Sequence, residues 1–110
     1  MKTLDNSNTD RAKDQVKDIK FWGDGDTFKL LSKASSVAEM WMKSTKAMEI
    51  PGVGCVVQVT TQQGSGLNVP DNQEVLWHVA EALTYVPGVR IHTDYDQLEN
   101  AVGRHLVPIE

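Results

Sequence analysis

The segment from Gly54 to Gln63, GCVVQVTTQQ, constrains the fold of this chain more than any other. Cys55, Val57, Val59 and Thr61 fall on one side of an extended backbone, and Val56, Gln58, Thr60 and Gln62 on the other. That period of two belongs to a strand with one wet face. Pro51-Gly52-Val53-Gly54 stands directly before it; Pro fixes φ and Gly accepts positive φ, so the preceding segment is expected to turn back on the strand. Such a strand names a fold class and leaves the activity open.

Length and composition narrow the class further. A chain of 110 residues forms one small domain, and 40% hydrophobic with 24% charged residues is ordinary globular usage. The net charge is −4 and the basic residues are scattered singly, so no cationic stripe meets the phosphates of a nucleic-acid duplex. The acidity is too weak for a nucleic-acid mimic. Cys55 is the sole cysteine, which excludes an intramolecular disulfide and a multi-cysteine metal site and suits a reducing cytosol. The apolar runs are too short for a signal peptide or a membrane span, so a soluble cytoplasmic protein with no membrane partner is expected.

Residues 1–20 carry Leu4, Ala12, Val16 and Ile19 as their only apolar side chains beyond Met1, too little to offset the entropy of ordering; a flexible polar tail with at most a short helix is expected there. A single globular domain is expected over 21–110, opening at Phe21-Trp22 and the turn-rich Gly23-Asp24-Gly25-Asp26. Thr27 to Ile50 supports two readings. Leu30, Ala34, Val37, Trp41 and Met48 thread onto one helical face, with Ser36 and Glu39 at capping-box spacing; alternatively Phe28–Lys33 and Trp41–Ile50 are two strands. A loop is expected over Gly64 to Asn72, then a helix over Gln73–Leu83 capped from Asp71, turning extended around Ala82 to Val86. Val89 and Ile91 predict a second one-sided strand that pairs with Cys55 to Thr61, and Pro87-Gly88 is either a turn or a bulge. Asp94 with Gln97 predicts a helix start, with Tyr95, Leu98 and Val102 inward and Gly103 as its stop, before a short extended piece from His105 to Ile109.

The candidate chemistry is sparse. His92-x-Asp94-x-Asp96 offers imidazole and carboxylate ligands, but a solvated turn with a helix cap uses the same residues, and no metal is expected. Asp24 and Asp26 resemble the opening of a calcium loop, yet Phe28, Lys29, Leu30 and Leu31 follow where oxygen ligands are needed. Cys55, flanked by valines, reads as a small core group and not as a nucleophile. Trp41 with Lys43 and Lys46 offers a stacking platform and two cations for single-stranded nucleic acid; against it stands the ordinary inward packing of an isolated Trp with solvated lysines. No catalytic constellation and no cofactor signature emerges.

Phe21-Trp22-Gly23-Asp24, Lys33-Ala34-Ser35-Ser36, Trp41-Met42-Lys43-Ser44-Thr45-Lys46-Ala47, Val57-Gln58-Val59-Thr60-Thr61-Gln62-Gln63, Ala80-Glu81-Ala82 and Val86-Pro87-Gly88-Val89 together form a pattern that resembles small bacteriophage and prophage proteins of uncharacterised activity, over residues 21 to 92. The resemblance carries no catalytic residue. It implies a hairpin around Trp41 and so favours strands for Trp41–Ile50, although Val37-Ala38-Glu39-Met40 departs from that pattern.

These readings combine into an α+β or mostly β fold: a small, meander-like antiparallel sheet of three to five strands with one or two short helices. Cys55, Val57, Val59, Leu83, Val89, Ile91 and Trp41 are expected to point inward. The expected function is that of a phage-type, non-enzymatic protein-binding module in the host bacterial cell, bound to a host or phage protein or to further copies of itself. Single-stranded nucleic-acid binding is the alternative. The candidate partner-binding residues are Trp41, Lys43, Lys46, Gln58, Thr60 and Gln62.

Overall fold

The computed structural model describes residues 8–65 and 76–110. Its elements run α1 (Thr9–Gln15), β1 (Lys29–Ser36), β2 (Trp41–Ile50), β3 (Gly54–Ser65), β4 (Leu76–Pro87), β5 (Val89–Tyr95) and β6 (Ala101–Pro108). The first four strands form an antiparallel meander in the order β1-β2-β3-β4, and β5-β6 form a separate hairpin. The antiparallel sheet is as expected. The α+β description fits loosely, because among the described residues one seven-residue helix stands against six strands.

Each turn follows from local chemistry. Between β2 and β3 the Val53 N–H donates to Ile50 O at 3.0 Å, with Pro51 and then Gly52 at φ 76° in the centre, the pattern of a type II turn. Between β1 and β2 the Ser36 hydroxyl accepts the Glu39 N–H at 3.1 Å and Met40 takes φ 60°. The spacing that suggests a helix cap therefore builds a hairpin loop, and Thr27–Ile50 resolves as two strands. At Gly88, with φ 74°, the chain leaves the large sheet for the hairpin, its N–H bonded to Val53 O and its carbonyl to Ile109 N.

Three expectations are overturned. Leu76 to Leu83 is strand, not helix, because every residue from Leu76 to Pro87 is in register with β3; the expected helix start at 71–75, like most of the loop over 64–72 and the first seven residues of the chain, lies outside the described residues. Val89 and Ile91 pair with Pro108 and Leu106 of β6 instead of with β3. The helix from Asp94 is a hairpin turn, closed by Asp96 N–H to Asn100 O at 3.0 Å, with Glu99 at φ 64°.

The hairpin packs across the end of the large sheet where β2 finishes and β3 begins. Cys55 Sγ donates to Val89 O at 3.6 Å, Ile91 N–H to Glu49 Oε1 at 2.6 Å, and Arg104 Nη1 to Leu30 O at 3.0 Å. Beneath this cover Ala47 and Cys55 are fully buried. The helix is tied to the turn before β1, with Thr9 donating through N–H and Oγ1 to Asp26, and Asn8 Oδ1 accepting the Arg11 N–H; its buried contact is Ala12.

The core differs from the expected inward set. Cys55 is buried and Val57, Val89, Ile91 and Trp41 are half-buried, but Val59 is 45% and Leu83 63% exposed. Farther along the same strands the opposite face is buried instead, at Met42, Ser44, Thr60 and Gln62. The hairpin covers only one end of a twelve-residue β3, so the protected face changes along the strand. Alternation separates the two faces without telling which is covered at each point.

Candidate functional site

The register divides the six candidate residues between two faces. Lys46 pairs with Gln58, Ser44 with Thr60 and Met42 with Gln62, so Lys46, Gln58, Thr60 and Gln62 project from one face. With Leu30, Lys33, Met42, Ser44 and Glu81 they line a concavity of about 230 Å³. Trp41 and Lys43 belong to the other face, where the Lys43 ammonium lies 5.9 Å from the Trp41 ring centre. The stacking platform imagined for single strands is thus split, with Lys46 on the far side of the sheet from Trp41.

The concavity is polar and internally satisfied. Thr60 Oγ1 donates to Glu81 Oε1 at 3.4 Å, and no buried side-chain N or O among the described residues lacks a partner. Ser44, Thr60 and Gln62 are buried, whereas Gln58 and Lys46 are half-buried and reachable from outside.

A second feature was not singled out by the sequence reading. Strand β4 lies at the end of the strand order, paired to β3 along one side, with no strand along its outer side among the described residues. All of its residues except Trp77 and Val86 are exposed, on both faces. Leu76, Val79, Leu83 and Tyr85 are 49–69% exposed, and Glu81 is the only acidic or cationic side chain of the strand. The legible signal was a twelve-residue run rich in apolar residues and carrying Trp77, Val79, Thr84, Tyr85 and Val86, bounded by Pro87-Gly88. The Ala and Glu residues at its centre made it read as helix.

The remaining chemistry-bearing groups lie outside the concavity. His92 and His105 are opposite one another in the β5–β6 register, and Asp94 lies between them, 3.0 Å from His105 Nδ1 and 3.7 Å from His92 Nε2. Asp96 is turned away into its own loop, accepting from the N–H groups of Leu98 and Asn100, which hold its carboxyl below the usual carboxylate range. Among the described residues no group of three His, Cys, Asp or Glu side chains is arranged to hold a metal ion. Burial pushes the Cys55 thiol up, with the Glu49 carboxylate adding to it, so the thiol is held protonated beneath Val89. Asp24 and Asp26 bond to Lys29 and Thr9 and form a turn. Among the described residues no helix is long and apolar enough to cross a membrane.

The chain belongs to the Lockin family, whose family model matches residues 1–107. No curated protein and no solved structure matches it.

Proposed function

We propose that this member of the Lockin family is a phage-type accessory protein without enzymatic activity, which acts in the cytoplasm of a bacterial host by binding another polypeptide. One observation supports the reading above all: along Trp77–Pro87, β4 presents an edge with no neighbouring strand among the described residues, and it carries exposed apolar side chains on both faces. A strand in that state is a template for strand addition, in which main-chain hydrogen bonds give affinity and alternate side chains give specificity. A host or phage protein is the partner class implied by the resemblance of the sequence to phage and prophage proteins, and Lys46 and Gln58 are the accessible polar contacts beside it.

The test is affinity capture with the full chain from host lysate, in parallel with a Val79→Lys/Leu83→Lys variant. Both positions are exposed, so the variant is expected to fold, as far-UV circular dichroism checks. Specific capture by the wild type and its loss in the variant supports the reading. Equal recovery by both, or no specific protein under gentle conditions with the chain remaining monomeric, sinks it.

A further inference from the structure

We infer that the polypeptide covering β4 is a second copy of this chain, added edge to edge by antiparallel pairing about a two-fold axis at Ala82. The inference rests on the reading of β4 as a polypeptide-binding surface and names its occupant.

The first argument is area. The chain exposes 8089 Å². A compact monomer of 12.2 kDa exposes roughly 6,100 Å², which leaves a surplus of roughly 2,000 Å². Each partner of a standard interface contributes about 800 Å², so less than half of the surplus is enough. The shape agrees: the radius of gyration is 16.3 Å, against about 13 Å for a compact domain of this length. The buried apolar residues among the described ones are only Ala12, Met42, Ala47 and Cys55, and three of these are small. A core this thin leaves apolar surface exposed in many places, Trp22, Val37, Leu98 and Val102 among them, and four of the exposed apolar side chains, Leu76, Val79, Leu83 and Tyr85, are grouped on the single strand β4.

The second argument is symmetry and charge. Two antiparallel copies in one sheet are related by a two-fold axis perpendicular to it, so residues on the same face must meet and the central residue pairs with itself. Near the middle of β4 that residue is Ala80, Glu81 or Ala82. Centring on Glu81 sets two carboxylates directly opposite, which is destabilising. Centring on Ala80 confines the overlap to Leu76–Thr84 among the described residues. Centring on Ala82 aligns Trp77 through Pro87, sets Val79 of one copy against Tyr85 of the other, and places each Glu81 opposite a Leu83. The product is a continuous eight-stranded sheet, four strands from each copy, with both polar concavities on the same side. Lys46 and Gln58 then occur twice on one surface, where an outside partner meets them.

Sedimentation or light scattering of the full chain at micromolar concentration is expected to give twice 12.2 kDa. Val79→Lys/Leu83→Lys should weaken association by about a hundredfold or more while far-UV circular dichroism is unchanged. A single Ala82→Cys substitution should give a disulfide-linked dimer on mild oxidation, because directly opposed Cβ atoms lie within disulfide reach; Ala80→Cys should not, and the buried Cys55 does not compete. A wild-type chain that stays at monomer mass, or a dimer indifferent to the two lysines, overturns the inference. Monomeric wild type that nonetheless loses a captured protein in the lysine variant overturns the second copy alone and leaves β4 as a binding surface; indifference of both mass and capture removes both. Cross-linking through Ala80→Cys and not Ala82→Cys overturns the register.

Discussion

The large sheet has two edges, and they are built differently. The β1 edge is short, with eight residues that include Lys29 and Lys33, and its pairing with β2 slips between Leu30 and Ser32. At that bulge Arg104 of β6 reaches over to bond Leu30 O, and α1 and the hairpin lie alongside. The β4 edge has twelve residues, one charged side chain, and an unbroken register with β3. Bulges, lysines and covering elements are the means by which proteins prevent unwanted strand pairing. Among the described residues this sheet uses all three on the β1 side and none on the β4 side, the contrast on which the proposed role of β4 rests.

The sharpest way to break the contrast is to give β4 what β1 has. Val79→Lys with Leu83→Lys is expected to cost about a hundredfold in self-association, or close to 3 kcal/mol at 1.4 kcal/mol per tenfold. The same two charges on β1, at the exposed Ser32 and Ala34, should leave the mass in solution unchanged. If the β1 pair dissociates the assembly and the β4 pair does not, the assignment of the two edges is reversed.

Next in size is the seam that attaches β4 to the sheet. A Cβ on Gly54 would stand 2.5 Å from Val86 O and 2.9 Å from Pro87 Cα, both backbone atoms that cannot swing aside. Gly54→Ala is therefore expected to destabilise the fold by about 1–3 kcal/mol, read as a lower midpoint in thermal or urea denaturation. A midpoint equal to wild type would mean that the β3–β4 pairing near Pro87 is looser than the register implies.

How far the sequence revealed this arrangement depends on the range of the forces involved. The turn at Pro51-Gly52 and the strand after it were legible because φ preferences and alternation are local properties. Ser36 with Glu39 and Asp94 with Gln97 misled, since a hydroxyl or carboxylate that accepts a nearby backbone N–H serves a hairpin turn as well as a helix start. The Val79 to Leu83 stretch favours helix by intrinsic propensity, yet pairing with β3 over its whole length overrides it. Cover was illegible for a different reason. Cys55 is buried by Val89, thirty-four residues away, while Val59 on the same face of the same strand lies beyond the hairpin. Of the candidate site, Lys46, Gln58, Thr60 and Gln62 were identified singly and do assemble, whereas β4 escaped notice because an edge is defined by what does not pair with it.

A smaller effect probes how the β1 edge is guarded. Arg104→Ala removes the donor to Leu30 O, a half-buried bond at the bulge, and is expected to cost about 1 kcal/mol. The informative readout is amide exchange: protection should fall in β1 and stay constant in β4. Equal loss in both strands would show Arg104 supporting the sheet in general and not its guarded edge.

The smallest effect concerns the first residue of β1. Lys29 Nζ donates to Asp24 Oδ2 at 2.9 Å, and Asp24 Oδ1 accepts the Asp26 N–H at 2.8 Å. The Lys29 hydrogen bond, followed by the Asp26 N–H, holds the Asp24 carboxyl below its ordinary value. A carboxylate whose pKa is depressed by folding contributes stability that is fully present above the unfolded value, about 3.9 for Asp, and is lost as pH falls through the lower folded value. Acid should therefore release Lys29 from the turn before β1. Because both partners are solvent-exposed, the signal is to be sought locally, in the Asp24 and Lys29 resonances, and not in the global midpoint. Asp24→Asn should abolish the transition and loosen the start of β1 at neutral pH; a variant that keeps the acid transition would show that the Asp24–Lys29 pair is not its source.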